Sequence, residues 1–209
     1  MPFTPNRLAL CIALACAALA PAVLAKDYLI DSATTGTLEL KKSDTLEVAS
    51  TGSIVAGDDD GVILPKHTSG ATVSVDNAGL IRSTDGRGID SKSDGEDLSH
   101  FVISNQAGAL IQGTNDGLRL QTNPLAGGSL KIINAGTIES TVDGQAIDLE
   151  SLNNPAFTTT LLNQAGGVIH AVGNDAIKTG SNATITNYGL IYTCLLYTSP
   201  SPRDKRQYR

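Results

Sequence analysis

Cysteine is almost missing from this chain, and the three present sit near its ends: Cys11, Cys16 and Cys194. Residues 26–193 therefore hold no thiol. Neither a disulfide framework nor a thiolate metal site can stabilise that stretch, so a packed core has to. Tryptophan is absent and aromatics make up 4% of residues. That excludes a core of large rings and leaves Leu, Ile, Val and Ala, which suit short strands and tight turns. Basic charge is scarce as well. Residues 26–193 carry 10 Lys and Arg against 20 Asp and Glu, a balance of −10, so no basic face is available for nucleic acid.

Catalytic signatures are missing too. There is no G-x-S-x-G elbow, no H-E-x-x-H and no P-loop. His67, His100 and His170 have no fixed spacing and no cysteine beside them, so they do not make a metal set. The expectation is a protein that is not an enzyme, with no catalytic residues, no cofactor and no metal.

The long apolar run is confined to the start. Arg7 precedes an apolar stretch from Leu8 to Ala20, Pro21 breaks it, and Val23-Leu24-Ala25 offers small residues for cleavage before Lys26. Residues 1–25 thus read as a signal peptide, too short for a comfortable membrane span.

What the chain has in abundance is repetition. Val73-Ser74-Val75-Asp76-Asn77-Ala78-Gly79-Leu80-Ile81 returns around Asn105, Asn134, Asn163 and Asn187, with a worn copy around Ser50. These markers are 27, 28, 29, 29 and 24 residues apart, a period that means a repeat architecture. Apolar residues fall two before the marker (Val48, Val75, Ile103, Ile132, Leu161, Ile185) and four before it (Leu46, Val73, Phe101, Leu130, and then Thr159 and Ala183). A turn leads to a second strand marked by Ile54, Ile81, Ile111, Ile138, Ile169 and Ile191. An Asp-rich turn leads to a third, as in Asp116-Gly117-Leu118-Arg119-Leu120. The first turn alternates between Asn-Ala-Gly-x-Ile and the longer Asn-Gln-Ala-Gly-x-x-Ile. The difference is two residues, so strand parity survives and Ile points inward in both. Outside the leader no window carries helical i, i+3, i+4, i+7 spacing.

Three short strands per ~28 residues predict an all-β fold, a β-solenoid of about six coils spanning residues 46–193, with coils stacked ~4.8 Å apart. Residues 26–45 alternate apolar and polar side chains and are expected to cap the first coil. The Asn column is expected to be structural, with side-chain amides bonding turns and one another. Asp60, Asp85, Asp116, Asp143 and Asp175 recur beside the third strand and are expected to stack as a carboxylate column. Three readings stand for it: turn chemistry, Ca²⁺ binding with Asp58-Asp59-Asp60 as the richest spot, and acid/base work on a glycan.

Beyond Thr193 the pattern stops. Cys194-Leu195-Leu196-Tyr197-Thr198-Ser199-Pro200-Ser201-Pro202-Arg203-Asp204 resembles a translated sequencing adapter, so residues 194–209 are expected to be an artefactual tail.

The leader, the start Lys26-Asp27-Tyr28-Leu29-Ile30, the Asn-x-Gly-x-Ile and Asp-Gly-x-Ile repeats and the lack of cysteine over 26–193 together resemble autotransporter passengers of Gram-negative bacteria. The resemblance implies a right-handed parallel β-helix, exported through the inner membrane and displayed at the cell surface or released. It further implies a C-terminal outer-membrane β-barrel, which this chain does not include. Adhesion to a host or neighbouring cell is the function such an extended repeat surface suggests. A secreted polysaccharide-acting β-helix enzyme and a Ca²⁺-stabilised rod are the alternatives.

Overall fold

The computed structural model describes residues 25–91, 97–121 and 126–194. The leader up to residue 24, Pro124 and the tail after Cys194 lie outside the described residues.

Every described element is a strand, and each coil contributes up to three. Coil 1 is β1 (Asp27–Ile30), β2 (Ala33–Thr35) and β3 (Leu38–Glu39). Coil 2 is β4 (Thr45–Val48), β5 (Ser53–Ala56) and β6 (Val62–Leu64). Coil 3 is β7 (Thr72–Asn77), β8 (Leu80–Ser83) and β9 (Ile89–Ser91). Coil 4 is β10 (Ser99–Asn105), β11 (Leu110–Gly113) and β12 (Leu118–Leu120). Coil 5 is β13 (Gly128–Asn134), β14 (Thr137–Ser140) and β15 (Ile147–Asp148). Coil 6 is β16 (Phe157–Asn163), β17 (Val168–Ala171) and β18 (Ile177–Lys178). A seventh rung holds β19 (Ala183–Asn187) and β20 (Leu190–Thr193).

Each strand pairs in parallel with its counterpart one coil away, which gives three sheets of seven, seven and six strands. This is a β-solenoid, as the period predicts. Within a strand the side chains alternate in and out. β10 buries Phe101, Ile103 and Asn105, while His100, Val102 and Ser104 face outward. The inward residues form one continuous core from Leu40 to Ala171. Its middle column, Ile54, Ile81, Ile111, Ile138 and Ile169, is fully shielded. Each such side chain contributes roughly 1.5–3 kcal/mol over exposure.

Residues 26–45 contribute a rung of the same three-strand kind. β1 aligns with β4 from Asp27↔Thr45 to Ile30↔Val48.

The register corrects the worn copy. Leu46 pairs with Val75 and Val48 with Asn77. Val48, not Ser50, therefore occupies the marker column, and Leu46 and Val48 each sit two residues further along the repeat than the alignment on Ser50 places them. The reason lies in turn length. From marker to inward residue of the second strand, the count runs Ile30 to Thr34, Val48 to Ile54, Asn77 to Ile81, Asn105 to Ile111, Asn134 to Ile138, Asn163 to Ile169 and Asn187 to Ile191. That sequence alternates four and six without a break, and aligning on Ser50 disguises a long turn as a short one. Just before β4 the core position falls to Asp44. This carboxylate is buried and accepts hydrogen bonds from the Lys26 and Lys41 backbone N–H groups at 2.9 and 2.8 Å.

The two turn forms use glycine differently. Gly108 and Gly166, in long turns, adopt φ of 82° and 86°, which L side chains rarely accept. Gly136, in a short turn, lies under the preceding coil: a Cβ there would sit 2.4 Å from the Ala109 carbonyl oxygen.

Candidate functional site

Two polar systems run along the solenoid, one inside it and one beside the third sheet. The inner one is the marker column. β7, β10, β13, β16 and β19 each end on an asparagine held in the same register. Asn77 donates Nδ2–H to Asn105 Oδ1 at 2.9 Å, Asn105 to Asn134 at 2.9 Å, Asn134 to Asn163 at 2.8 Å and Asn163 to Asn187 at 2.8 Å. The second amide hydrogen reaches a backbone carbonyl of the following coil, at Leu110, Thr137, Val168 and Leu190. Asn77, Asn105, Asn134 and Asn163 are all at or below 1% exposure. No ligand can reach a column so enclosed, and its role is to satisfy the turns it lines.

The outer system replaces the expected carboxylate column. Counting back from the inward residues Val62, Ile89, Leu118, Ile147 and Ile177, which share one register, the position two before reads Asp60, Arg87, Asp116, Gln145 and Asp175. Asp85 and Asp143 fall two residues earlier, and both are exposed. The five aspartates therefore form two sets on alternate coils rather than one stack. Like charges explain the split: two carboxylates ~4.8 Å apart repel by about 3.5 kcal/mol at an effective dielectric of 20.

Arg87 fills the gap. Its Nε donates to Asp116 Oδ2 at 2.8 Å and its Nη1 lies 3.7 Å from Asp60 Oδ1. The backbone joins in, with Arg87 N–H donating to Asp60 Oδ1 and Gln145 N–H to Asp116 Oδ1, both at 2.8 Å. Three residues further along each coil, just past the inward residue, Arg119 clasps Asp90 through two bonds of 2.9 Å. Asp60, Asp90 and Asp116 side chains are 4–8% exposed. Burial pushes the Asp60 carboxyl up, the Arg87 N–H draws it partly back, and the neighbouring Asp90 adds to the rise. Asp148 is also pushed up, chiefly by burial, with the Glu150 N–H opposing. Arg119 is held above its ordinary value. Burial alone would lower it, but the Asp90 pair outweighs that.

Chemically, this is a clamp across coils 2 to 4 in which two guanidiniums and backbone N–H groups hold three buried carboxylates. The catalytic reading would place acid/base chemistry at these carboxylates, yet Asp60, Asp90 and Asp116 each already bond an arginine, a backbone N–H or both. The Ca²⁺ reading needs several free oxygens converging. Among the described residues no group of three or more His, Cys, Asp or Glu is arranged to hold a metal. At Asp58-Asp59-Asp60, Asp59 Oδ1 is turned to the Asp60 N–H.

The sequence reading missed this clamp because it aligned the coils on Asp-Gly. Counting from the inward residue of the third strand would have set Arg87 between Asp60 and Asp116. It also missed the outward column of the second sheet, Arg82, Gln112, Glu139, His170 and Tyr192. There Gln112 donates to Glu139, His170 Nδ1 lies 3.8 Å from Glu139 Oε2, and the His170 and Tyr192 rings stack at 4.3 Å. His170 Nε2 also lies 3.3 Å from Cys194 Sγ. That cysteine is free and exposed. His100 bonds the Ser129 hydroxyl at 2.8 Å, and His67 lies 3.3 Å from Asp97.

Among the described residues, no helix is long and apolar enough to cross a membrane. The class defined by fold and site is a parallel β-solenoid with an internal asparagine ladder. No protein-family model matches the chain, and neither a curated protein nor a solved structure does.

Proposed function

We propose that this chain is the N-terminal part of an exported, non-catalytic surface passenger of the autotransporter kind, serving adhesion or surface display on a Gram-negative cell. The observation that carries this reading is the combination of a leader-like start with a solenoid whose polar columns are internally consumed. The Asn ladder is sealed inside from Asn77 to Asn163, and the buried aspartates of the outer column are already bonded by Arg87, Arg119 and backbone N–H groups. What such a molecule offers is length and outward surface. The connections from each third strand to the next coil, residues 65–71, 92–98, 121–127 and 149–156, fall at the same point of the repeat. They differ in sequence from coil to coil, as a binding rim for a host or neighbouring-cell ligand would. In the full-length protein a C-terminal outer-membrane β-barrel would anchor it.

The test is to sequence the locus past the codon for Thr193 from fresh template. The reading expects the frame to continue through further coils into a barrel of alternating ~10-residue strands. A stop codon within a few residues would contradict it.

One observation favours the enzyme alternative: buried Asp60, displaced toward its protonated form beside Asp90, is the kind of pair that can divide acid and base roles. Glycan cleavage by culture supernatant that disappears in Asp60→Asn plus Asp90→Asn would support it. Cleavage that is absent, or unchanged in that variant, removes it.

A further inference from the structure

Where the chain enters its first coil, a carboxylate is buried without a cation. Asp44 precedes the Thr45↔Ser74 pair by one residue, so it lies in the column that later coils fill with Val73, Phe101 and Leu130. Like them it is 1% exposed. Its oxygens accept from two backbone N–H groups, Lys26 to Oδ1 at 2.9 Å and Lys41 to Oδ2 at 2.8 Å. Among the described residues no Lys, Arg or His side chain is paired with it. The Lys26 side-chain ammonium is engaged elsewhere, 4.2 Å over the centroid of the Tyr28 ring. Two amide hydrogens satisfy the oxygens, but they do not compensate a charge held out of water as a cation would. That cation is one hydrolysis away. Lys26 is the residue before which the leader reading places cleavage, after Val23-Leu24-Ala25. The atom such a cut would charge is the Lys26 nitrogen, which already lies 2.9 Å from Asp44, the separation of an ammonium–carboxylate bond (roughly 2.7–2.9 Å).

We propose that the Ala25–Lys26 bond is a processing site and that Asp44 is the preformed receptor for the amino group its cleavage releases. Water adds across the amide. Its oxygen ends in the Ala25 carboxylate, and both of its hydrogens end on the Lys26 nitrogen, which becomes an ammonium. One of the three hydrogens then on that nitrogen keeps the bond to Asp44 Oδ1, now between opposite charges. Ala25 and Lys26 are both exposed, so a peptidase of the export route can reach the bond. The other side of Lys26 is fixed as well, since its carbonyl accepts from the Thr45 N–H at 3.0 Å. The new terminus is therefore held from both sides against the start of β4. Removal of the leader does more than free the chain: it converts a buried, uncompensated carboxylate into an ion pair and locks β1 onto β4. This inference rests on the leader part of the passenger reading and adds the residue that receives the cut end.

Two forms of the chain test the receptor, both running to Arg209. One begins at Lys26, released from a cleavable fusion with no residue added. The other keeps Val23-Leu24-Ala25 in front, so its Lys26 nitrogen stays an amide. In denaturant melts at pH 7 the Lys26 form is expected to have an unfolding constant about tenfold smaller, the margin of a charge-assisted hydrogen bond over a neutral one. With Asp44→Asn in both, the two forms should agree within about twofold. Equal stability of the unaltered forms, or a difference that survives Asp44→Asn, would overturn the proposal. A second measurement holds even where the Asn variant does not fold. The α-amine of the folded Lys26 form should be acylated by a succinimidyl ester about tenfold more slowly than in denaturant, and an equal rate would overturn the proposal. The cut itself is read by N-terminal sequencing of the full chain after expression in a Gram-negative host. Lys26 is expected as the first residue. A different first residue overturns the proposal alone, an intact leader overturns the export reading with it, and Lys26 first with equally stable forms strikes the receptor while leaving export standing.

Discussion

The two polar columns of this solenoid face the same geometric demand and meet it in opposite ways. Stacking at the strand spacing puts a side chain directly over its counterpart in the next coil. Asparagine can occupy every rung, from Asn77 to Asn187, because its amide donates and accepts and so pairs with a copy of itself. Aspartate cannot, since an ionised carboxylate only accepts. The chain therefore slips its Asp-Gly turns by two residues on alternate coils and sets Arg87 and Gln145 between Asp60, Asp116 and Asp175. The lesson is that a residue type recurring at a repeat period predicts a column only when that residue can bond to itself.

The largest expected effect comes from giving the inner column the chemistry of the outer one. Asn134→Asp removes a buried donor and adds a charge opposite the Asn163 amide oxygen and the Val168 carbonyl. It is expected to cost about 3 kcal/mol or more at pH 7. Its folded pKa would lie above the unfolded value, so stability is retained at low pH and lost as pH rises through the folded value. Denaturant melts from pH 4 to 8 against the unaltered protein would show a deficit that shrinks on acidification. A smaller cost follows from breaking the outer column. Arg87→Ala leaves Asp60 and Asp116 without their shared cation, and with Arg87 only 20% exposed the loss is expected to be about 2–3 kcal/mol in the same melts, after discounting for its partial access to water.

Smaller still is Asp60→Asn. Because burial raises the Asp60 pKa, folding favours its protonated form. The stabilising contribution is complete below the ordinary carboxylate value and fades as pH climbs through the raised one. The asparagine variant stays neutral throughout. It should be within about 0.5 kcal/mol of the unaltered protein at pH 7, with a flatter stability profile above pH 4. No effect at all is expected from EDTA: the melting temperature should not move, whereas a fall would revive a bound-cation reading of the aspartates.

Much of the fold could be read before the structure. The inward isoleucines from Ile54 to Ile191 share one register as their spacing predicts, since an even change in turn length preserves parity. The third strands also fall where the Asp-rich turns place them. The misplacements have one cause, alignment on conspicuous residues rather than on core positions. Ser50 resembles Asn77 as a polar turn residue, yet Val48 holds the column, and the unbroken alternation of four and six would have revealed it. Asp85 resembles Asp60 as part of Asp-Gly, yet only Asp60 is buried. The Arg119–Asp90 clasp was not legible because it joins outward positions, which no hydrophobic pattern marks.

The most direct test of the ladder is hydrogen exchange of the asparagine side-chain amides, followed by NMR. The structure predicts that the Nδ2 hydrogens of Asn77, Asn105, Asn134 and Asn163 exchange slowly, that exposed Asn187 exchanges faster than these four, and that exposed Asn115 exchanges fast as well. Exchange of the four inner amides at the rate of Asn115 would mean that they do not form the ladder, and the register built on it would be wrong.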